Sequence, residues 1–183
     1  MQASSPGLAA LITEEYRRMQ QELHLNRNYG QASVAMAPFV AEVIRRDRIE
    51  EMLDYGAGKG RLGEELEWLV PWELRIHRYE PAMPEWSATP EPSVFVACID
   101  VLEHIEPHLL SNVLDDLRRV TGGTGLFTVA TGPAVKKLAD GRNAHLIQQP
   151  ASWWLPQFLA RFELLQFIRT PYGFRIEVRR LGK

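Results

Sequence analysis

One loop and six side chains in this sequence have the types and spacing to do chemistry. The loop is Asp54-Tyr55-Gly56-Ala57-Gly58-Lys59-Gly60, and the side chains are Asp54, Glu80, Asp100, Glu103, His104 and His145. Glycine lets a backbone turn sharply and lets a ligand lie against the main chain. The pattern here is G-x-G-x-G, because Arg61 stands where a dinucleotide fingerprint has its last glycine. Lys59 is followed by Gly60 and not by Ser or Thr, which removes a phosphate P-loop. Asp54 repels a pyrophosphate and attracts a cation such as an amino-acid ammonium. Glu80 follows the loop by about twenty residues, the spacing at which an acid accepts hydrogen bonds from ribose hydroxyls. Three glycines alone mark an ordinary turn equally well; the acids on both sides make this a ligand loop.

The second constellation is Asp100, Glu103 and His104, with His145 further on in the polar stretch Asp140-Gly141-Arg142-Asn143-Ala144-His145. Carboxylates and imidazoles gathered at one place serve as a general base or as ligands for a divalent ion. The plainer reading is that Glu103 caps a helix and His104 is a satisfied, partly buried ring. Lys136, Lys137 and Arg142 can hold an anionic substrate or form a solvated basic face. Trp153 and Trp154 can stack on a planar ligand or fill the core.

These groups need a frame. Leu8, Leu11, Ile12, Tyr16, Met19 and Leu23 recur at helical spacing, which predicts an amphipathic helix over 7–24. A second helix runs from Val34 to about Asp47. Met52 to Tyr55 is a short buried strand, and Leu62, Leu66 and Leu69 mark a helix. Leu74 to Tyr79 alternates like a strand, 81–93 is a proline-rich loop, and Val94 to Ile99 is an apolar strand. Residues 106–120 form a helix ended by Gly122-Gly123, and Leu126 to Val129 is a strand. Trp153 to Phe162 reads as a helix. Leu164 to Ile168 and Phe174 to Val178 form a hairpin around Pro171-Tyr172-Gly173. Alternating strands and helices predict an α/β, Rossmann-like, doubly wound and mostly parallel sheet with an antiparallel hairpin at the end. Such sheets bind ligands at the carboxyl ends of the strands, where Asp54, Glu80 and Asp100 fall.

The chain has 183 residues, 45% hydrophobic and 24% charged, with a net charge of −2. One domain over 1–183 is expected, with helices in 1–48 and the Rossmann-like core in 49–183. The charge disfavours coating of long duplex nucleic acid, whose affinity comes largely from phosphate neutralisation. Cys98 is the only cysteine, which fits a reducing compartment. The N-terminal stretch makes a poor signal peptide and no apolar run approaches a bilayer span, so a cytoplasmic protein without a membrane partner is expected.

The loop, Tyr79-Glu80-Pro81 and Cys98-Ile99-Asp100-Val101-Leu102-Glu103-His104-Ile105 resemble, in order, the first, second and fourth motifs of class I S-adenosylmethionine-dependent methyltransferases. Tyr29-Gly30 and Asp140 to Ile147 resemble a narrower group of small bacterial and phage members. The resemblance implies S-adenosylmethionine (SAM) as cofactor. It implies a binding set of Tyr29, Asp54, Tyr55, Gly56, Ala57, Gly58, Gly60, Glu80, Pro81, Cys98, Ile99, Asp100 and Val101. The family usually places a helix and a third strand between its second and fourth motifs. Here 81–93 is too short for both, so the third-strand region is shortened and the family's adenine-binding acid has no counterpart. Trp86 is then a candidate cover for the adenine.

The expected activity is methyl transfer to a small-molecule, sugar or nucleotide acceptor, with an oxygen favoured. Asp100-Val101-Leu102 lacks the Asn/Asp-Pro-Pro-aromatic motif of adenine-N6 and cytosine-N4 enzymes. Glu103, His104 and His145 are the expected catalytic groups. The order Asp100, Glu103-His104, His145 also resembles the magnesium or manganese ligands of methyltransferases that modify the terminal ribose of small RNAs. The alternatives are a non-catalytic SAM-binding or partner module of the same fold, and a nicotinamide oxidoreductase. Oligomeric state is not legible in the sequence.

Overall fold

A computed structural model describes residues 9–26, 30 and 32–182. The elements are α1 (Glu14–Leu25), α2 (Ala32–Asp47), β1 (Glu51–Tyr55), α3 (Arg61–Leu69), β2 (Arg75–Tyr79), β3 (Ser93–Ile99), α4 (Leu110–Val120), β4 (Thr121–Ala130), α5 (Ala151–Leu159), β5 (Phe162–Thr170) and β6 (Gly173–Arg180). The six strands make one sheet in the order β2-β1-β3-β4-β6-β5. The first four are parallel; β6 runs antiparallel between β4 and β5. This is the predicted doubly wound fold with its C-terminal hairpin. Between β2 and β3 there is only a 3-10 turn, Pro84–Trp86, as the shortness of that segment requires.

Side chains alternate across a strand, so each sheet face meets its own helices. Leu53 and Tyr55 of β1 join Val113, Leu114 and Leu117 of α4 and Trp154 and Phe158 of α5 in one apolar cluster. Met52 joins Val40, Ile44, Leu62 and Leu66 of α2 and α3 in the other. Each such side chain, fully buried, contributes about 1.5–3 kcal/mol of transfer free energy. These two layers fix the strand ends on which the polar residues stand. No described helix is long and apolar enough to cross a membrane.

Several predicted boundaries move, among them the start of the helix expected over 106–120, which begins at Leu110 after a 3-10 turn over Pro107–Leu109. Three shifts have a plain local cause or consequence. The first helix begins at Glu14, because the Thr13 hydroxyl caps it by accepting from Tyr16 N at 3.2 Å. Leu11 and Ile12 therefore precede the helix, and Leu8 lies outside the described residues. Gly122 and Gly123 open β4 where the sequence suggested a helix stop. A Cβ there would sit 2.9 Å from the Ser93 carbonyl oxygen and 2.5 Å from that of Val94, so only glycine lets the two strands come this close. The last helix ends at Leu159, and Phe162 starts β5.

Candidate active site

A cleft of about 650 Å³ opens at the carboxyl ends of β1 to β4. Its floor is the turn after β1. Gly56 N and Ala57 N both donate to the Tyr79 carbonyl, at 2.7 and 3.0 Å, so the end of β2 holds the loop. Gly56 has φ 80°, and a Cβ there would meet Val101 Cγ2 at 2.4 Å. Gly58 has φ 55° and would meet the His24 ring at 3.3 Å. Gly60, also left-handed at φ 73°, is the N-cap residue of α3.

Glu80 fixes the loop from the side. Its Oε2 accepts from Gly58 N at 3.2 Å and its Oε1 from Ala82 N at 3.0 Å. Burial raises its pKa, and these two bonds oppose the rise. A carboxylate has about four acceptor positions, so both oxygens retain capacity for a ligand's hydroxyls. Asp54 lies beneath the loop, 3% exposed, with Oδ2 lacking a hydrogen-bond partner. Burial pushes its pKa up to about 7, the Arg78 guanidinium opposing and Glu80 adding to the rise.

The second polar group of the cleft lies past β3. Asp100 takes the left-handed conformation, φ 59°, and its N–H donates to Thr128 Oγ1 at 2.9 Å. Non-glycine residues held there mark local constraint, although aspartate tolerates it best. His104 Nδ1 lies 2.8 Å from the Ala144 carbonyl and His145 Nδ1 lies 2.7 Å from the Gly132 carbonyl. A carbonyl only accepts, so each Nδ1 carries a proton. The rings meet edge to face, centroids 4.7 Å apart. Burial pushes the His104 pKa down to about 4; Asp100 opposes this and His145 adds to it. One ligand atom each from Asp100, His104 and His145 lies within 4.8 Å of the others, a span one divalent ion can bridge with two bonds of ~2.0–2.6 Å.

Of the expected residues, Tyr55, Gly56, Ala57, Gly58, Glu80, Pro81, Ile99, Asp100, Val101, His104 and His145 line the cleft. Asp54, Gly60, Cys98 and Glu103 stand behind its wall, and Tyr29 lies outside the described residues. Glu103 is wholly buried, accepts from Ala130 N, and has its pKa raised by burial and then by the Asp100 charge. It braces the wall and is not part of the three-residue cluster. Trp86 does not line the cleft. Its ring lies 5.5 Å from the Arg78 guanidinium and closes on Gly60 from behind.

Sequence reasoning missed the roof. Tyr16, Gln20 and His24 of α1 line the cleft, and their spacing of four puts them on one stripe of that helix. That stripe of mixed polarity was the available signal. Two hydrogen bonds of 2.8 Å tie Thr13 N and Oγ1 to the Glu106 carboxylate. Tyr16 OH donates to the His104 carbonyl at 2.5 Å, and Arg17 donates to the Pro81 carbonyl at 2.7 Å. Also missed was the segment Thr131 to Val135, which with Tyr172 walls the far end beside Lys136, the one residue of the expected basic set Lys136, Lys137 and Arg142 that lines the cleft.

No family model matches the chain, and no curated protein matches it in sequence. Solved structures do resemble it. One is the 1,6-didemethyltoxoflavin-N1-methyltransferase of Burkholderia thailandensis, with bound 1,6-didemethyltoxoflavin and S-adenosylhomocysteine. It gives a TM-score of 0.66 at 16% identity over 98% of this chain and 94% of that one. The N-methyltransferase NodS of Bradyrhizobium japonicum, with S-adenosylhomocysteine, gives 0.61 at 10% identity over 92% and 100%. The magnesium protoporphyrin IX methyltransferase ChlM of Synechocystis, also with S-adenosylhomocysteine, gives 0.58 at 12% identity over 92% and 95%. At these identities the likeness establishes one thing: this chain has the Rossmann-like fold on which those methyltransferases are built.

Proposed function

We propose that this chain is a SAM-dependent methyltransferase that modifies a hydroxyl oxygen of a small-molecule, sugar or nucleotide acceptor. One observation carries the reading. At the strand ends of a methyltransferase-type fold, the glycine turn and a carboxylate with spare acceptor positions line one cleft, and a buried carboxylate with an unpartnered oxygen lies directly beneath that turn.

The residues fit the cofactor. The unpartnered Oδ2 of Asp54 suits an ammonium, reached directly or through water, and Glu80 suits a ribose diol. The turn from Tyr55 to Gly58 offers a bare backbone, and Pro81, Ile99, Asp100 and Val101 supply the facing wall. When bound, SAM supplies a methyl group on an already activated sulfonium, so the protein's task is alignment and removal of one proton. His145 Nε2 would take the proton from the acceptor hydroxyl as its oxygen replaces sulfur on the methyl carbon, the S–C bond breaking to leave the neutral thioether S-adenosylhomocysteine. His104, held neutral by burial, and Asp100 orient that edge of the cleft. Glu103 acts indirectly, by fixing Ala130 and the turn that carries His104.

A second reading is favoured by the three-residue cluster. With both Nδ1 atoms committed to carbonyls, Asp100, His104 and His145 resemble a divalent-metal site whose imidazoles are oriented by backbone acceptors. Magnesium or manganese there would lower the pKa of an acceptor hydroxyl. Calorimetric titration with manganese separates the readings: saturable binding that His145→Ala removes supports the metal, and no binding leaves His145 as the base.

The test of the main reading is thermal. S-adenosylhomocysteine at 100 times its dissociation constant adds about 2.7 kcal/mol, a rise of several degrees in Tm. No shift at saturation ends the cofactor assignment. Methylated products found by mass spectrometry across an acceptor panel would separate an enzyme from a SAM-binding module.

A further inference from the structure

We propose that Asn143 is the positioning residue for the His145 imidazole, a role that rests on the reading of His145 as the base. Its amide makes three hydrogen bonds. Oδ1 accepts from Ala134 N at 2.9 Å and from His145 N at 2.9 Å, while Nδ2 donates to the Ala134 carbonyl at 2.8 Å. Two N–H groups meet one side of the amide and a carbonyl meets the other, so the amide has a single consistent orientation.

The geometry gives this side chain an unusual reach. Thr131 to Lys136 leaves the sheet after β4 and walls the cleft without a regular strand partner. Asn143 pairs with both backbone groups of Ala134, as a neighbouring strand would. Its own backbone is fixed in a short arm: Lys137 bridges to Asn143, Leu138 N donates to the Arg142 carbonyl at 2.8 Å, and Ala144 N donates to the Lys136 carbonyl at 3.0 Å. One side chain therefore joins the segment that presents the Gly132 carbonyl to the segment that presents His145.

That junction decides which ring nitrogen is basic. His145 Nδ1 donates to the Gly132 carbonyl at 2.7 Å, so in the neutral ring Nε2 is the nitrogen that can accept a proton. An unconstrained neutral imidazole prefers its proton on Nε2. If the Gly132 carbonyl moves away, the ring takes that form and Nε2 becomes a donor, unable to act as base. Aspartate at 143 would lack the donor to Ala134, and serine would be too short to span both segments. Ala134 and His145 line the cleft, but the clamp makes no hydrogen bond to the glycine turn or to Glu80, so its loss should change cofactor affinity little.

The experiment uses the full chain, labelled with nitrogen-15, near neutral pH, with a chelator and with or without S-adenosylhomocysteine. Long-range nitrogen–proton spectra separate protonated from bare ring nitrogens. In the unaltered protein His145 shows Nδ1–H with a bare Nε2. In Asn143→Ala the Nε2–H form becomes the major one, while affinity for S-adenosylhomocysteine changes by less than about threefold, the scale of one modest hydrogen bond. A folded Asn143→Ala protein that keeps Nδ1–H overturns the proposal. If that variant does not fold, amide exchange in the unaltered protein decides. The Ala134 and His145 amides should exchange about tenfold more slowly than open-loop amides, and unprotected exchange of both overturns the proposal. Absence of S-adenosylhomocysteine binding would defeat the methyltransferase reading and leave the tautomer result standing.

Discussion

Gly58 donates its backbone N–H to Glu80 Oε2 at 3.2 Å, across 22 residues of sequence. The acid read as a ribose ligand is thus also the brace of the glycine turn. Glu80→Ala removes both functions, since Ala82 N and Gly58 N lose their acceptor together. A charged hydrogen bond is worth roughly 1.5–3 kcal/mol, so affinity for S-adenosylhomocysteine should fall at least about tenfold. Glu80→Gln keeps one acceptor oxygen and should lose less. Calorimetry on the folded variants checks this, and equal affinities for all three proteins would remove Glu80 from the site.

Gly56→Ala should abolish cofactor binding for a reason that lies behind the turn. The added Cβ would meet Val101 at 2.4 Å in a conformation, φ 80°, that costs an L-residue about 1–2 kcal/mol. Trimming the obstacle tests the cause. Gly56→Ala with Val101→Ala should recover part of the affinity lost by Gly56→Ala alone. No recovery would assign the loss to backbone strain.

Asp54 makes cofactor affinity pH-dependent. Its pKa rises from 3.8 to about 7 because burial penalises the charged form. A raised acid pKa means stability that is full below the unfolded value and is lost as pH rises through the folded one. The unliganded protein should therefore lose stability between about pH 4 and pH 7 from this group. A bound ammonium reverses the preference by favouring the carboxylate. Affinity for S-adenosylhomocysteine should therefore climb with pH up to about 7 and flatten in Asp54→Asn. A flat profile in the unaltered protein would show that no cation reaches Asp54.

The strands and the glycine turn were legible because a buried parallel strand leaves an apolar run cut off by glycine or acid, as at Met52 to Gly56 and Val94 to Asp100. Gly122 and Gly123 misled, because the same residue that stops a helix also lets two backbones approach, and only the position of Val94 distinguishes them. Glu103 and His104 were legible as a pair but not in their separate directions. A 3-10 turn sends one into the wall and the other into the cleft. The stripe Tyr16, Gln20 and His24 marks one face of α1, but what that face covers was hidden, because the helix is held by hydrogen bonds to the distant Glu106 carboxylate and to the His104 and Pro81 carbonyls.

That manner of attachment carries the last prediction. No residue of α1 belongs to either apolar cluster, although Tyr16, Gln20 and His24 cover the cleft. Segments held by few apolar contacts open at low cost. The Thr13 hydroxyl serves twice, donating to Glu106 Oε1 and accepting from Tyr16 N as the helix cap. Thr13→Val keeps the shape and removes both bonds; loss of a cap costs about 1 kcal/mol, which corresponds to about fivefold in an equilibrium. If α1 must lift for exchange, S-adenosylhomocysteine should dissociate several-fold faster from Thr13→Val, with a smaller change in association rate. Thr13→Ser keeps the hydroxyl and should behave like the unaltered chain. Stopped-flow displacement measures both. An unchanged dissociation rate in Thr13→Val would mean that the cofactor leaves by another route, past the exposed Val135 and Tyr172 at the far end.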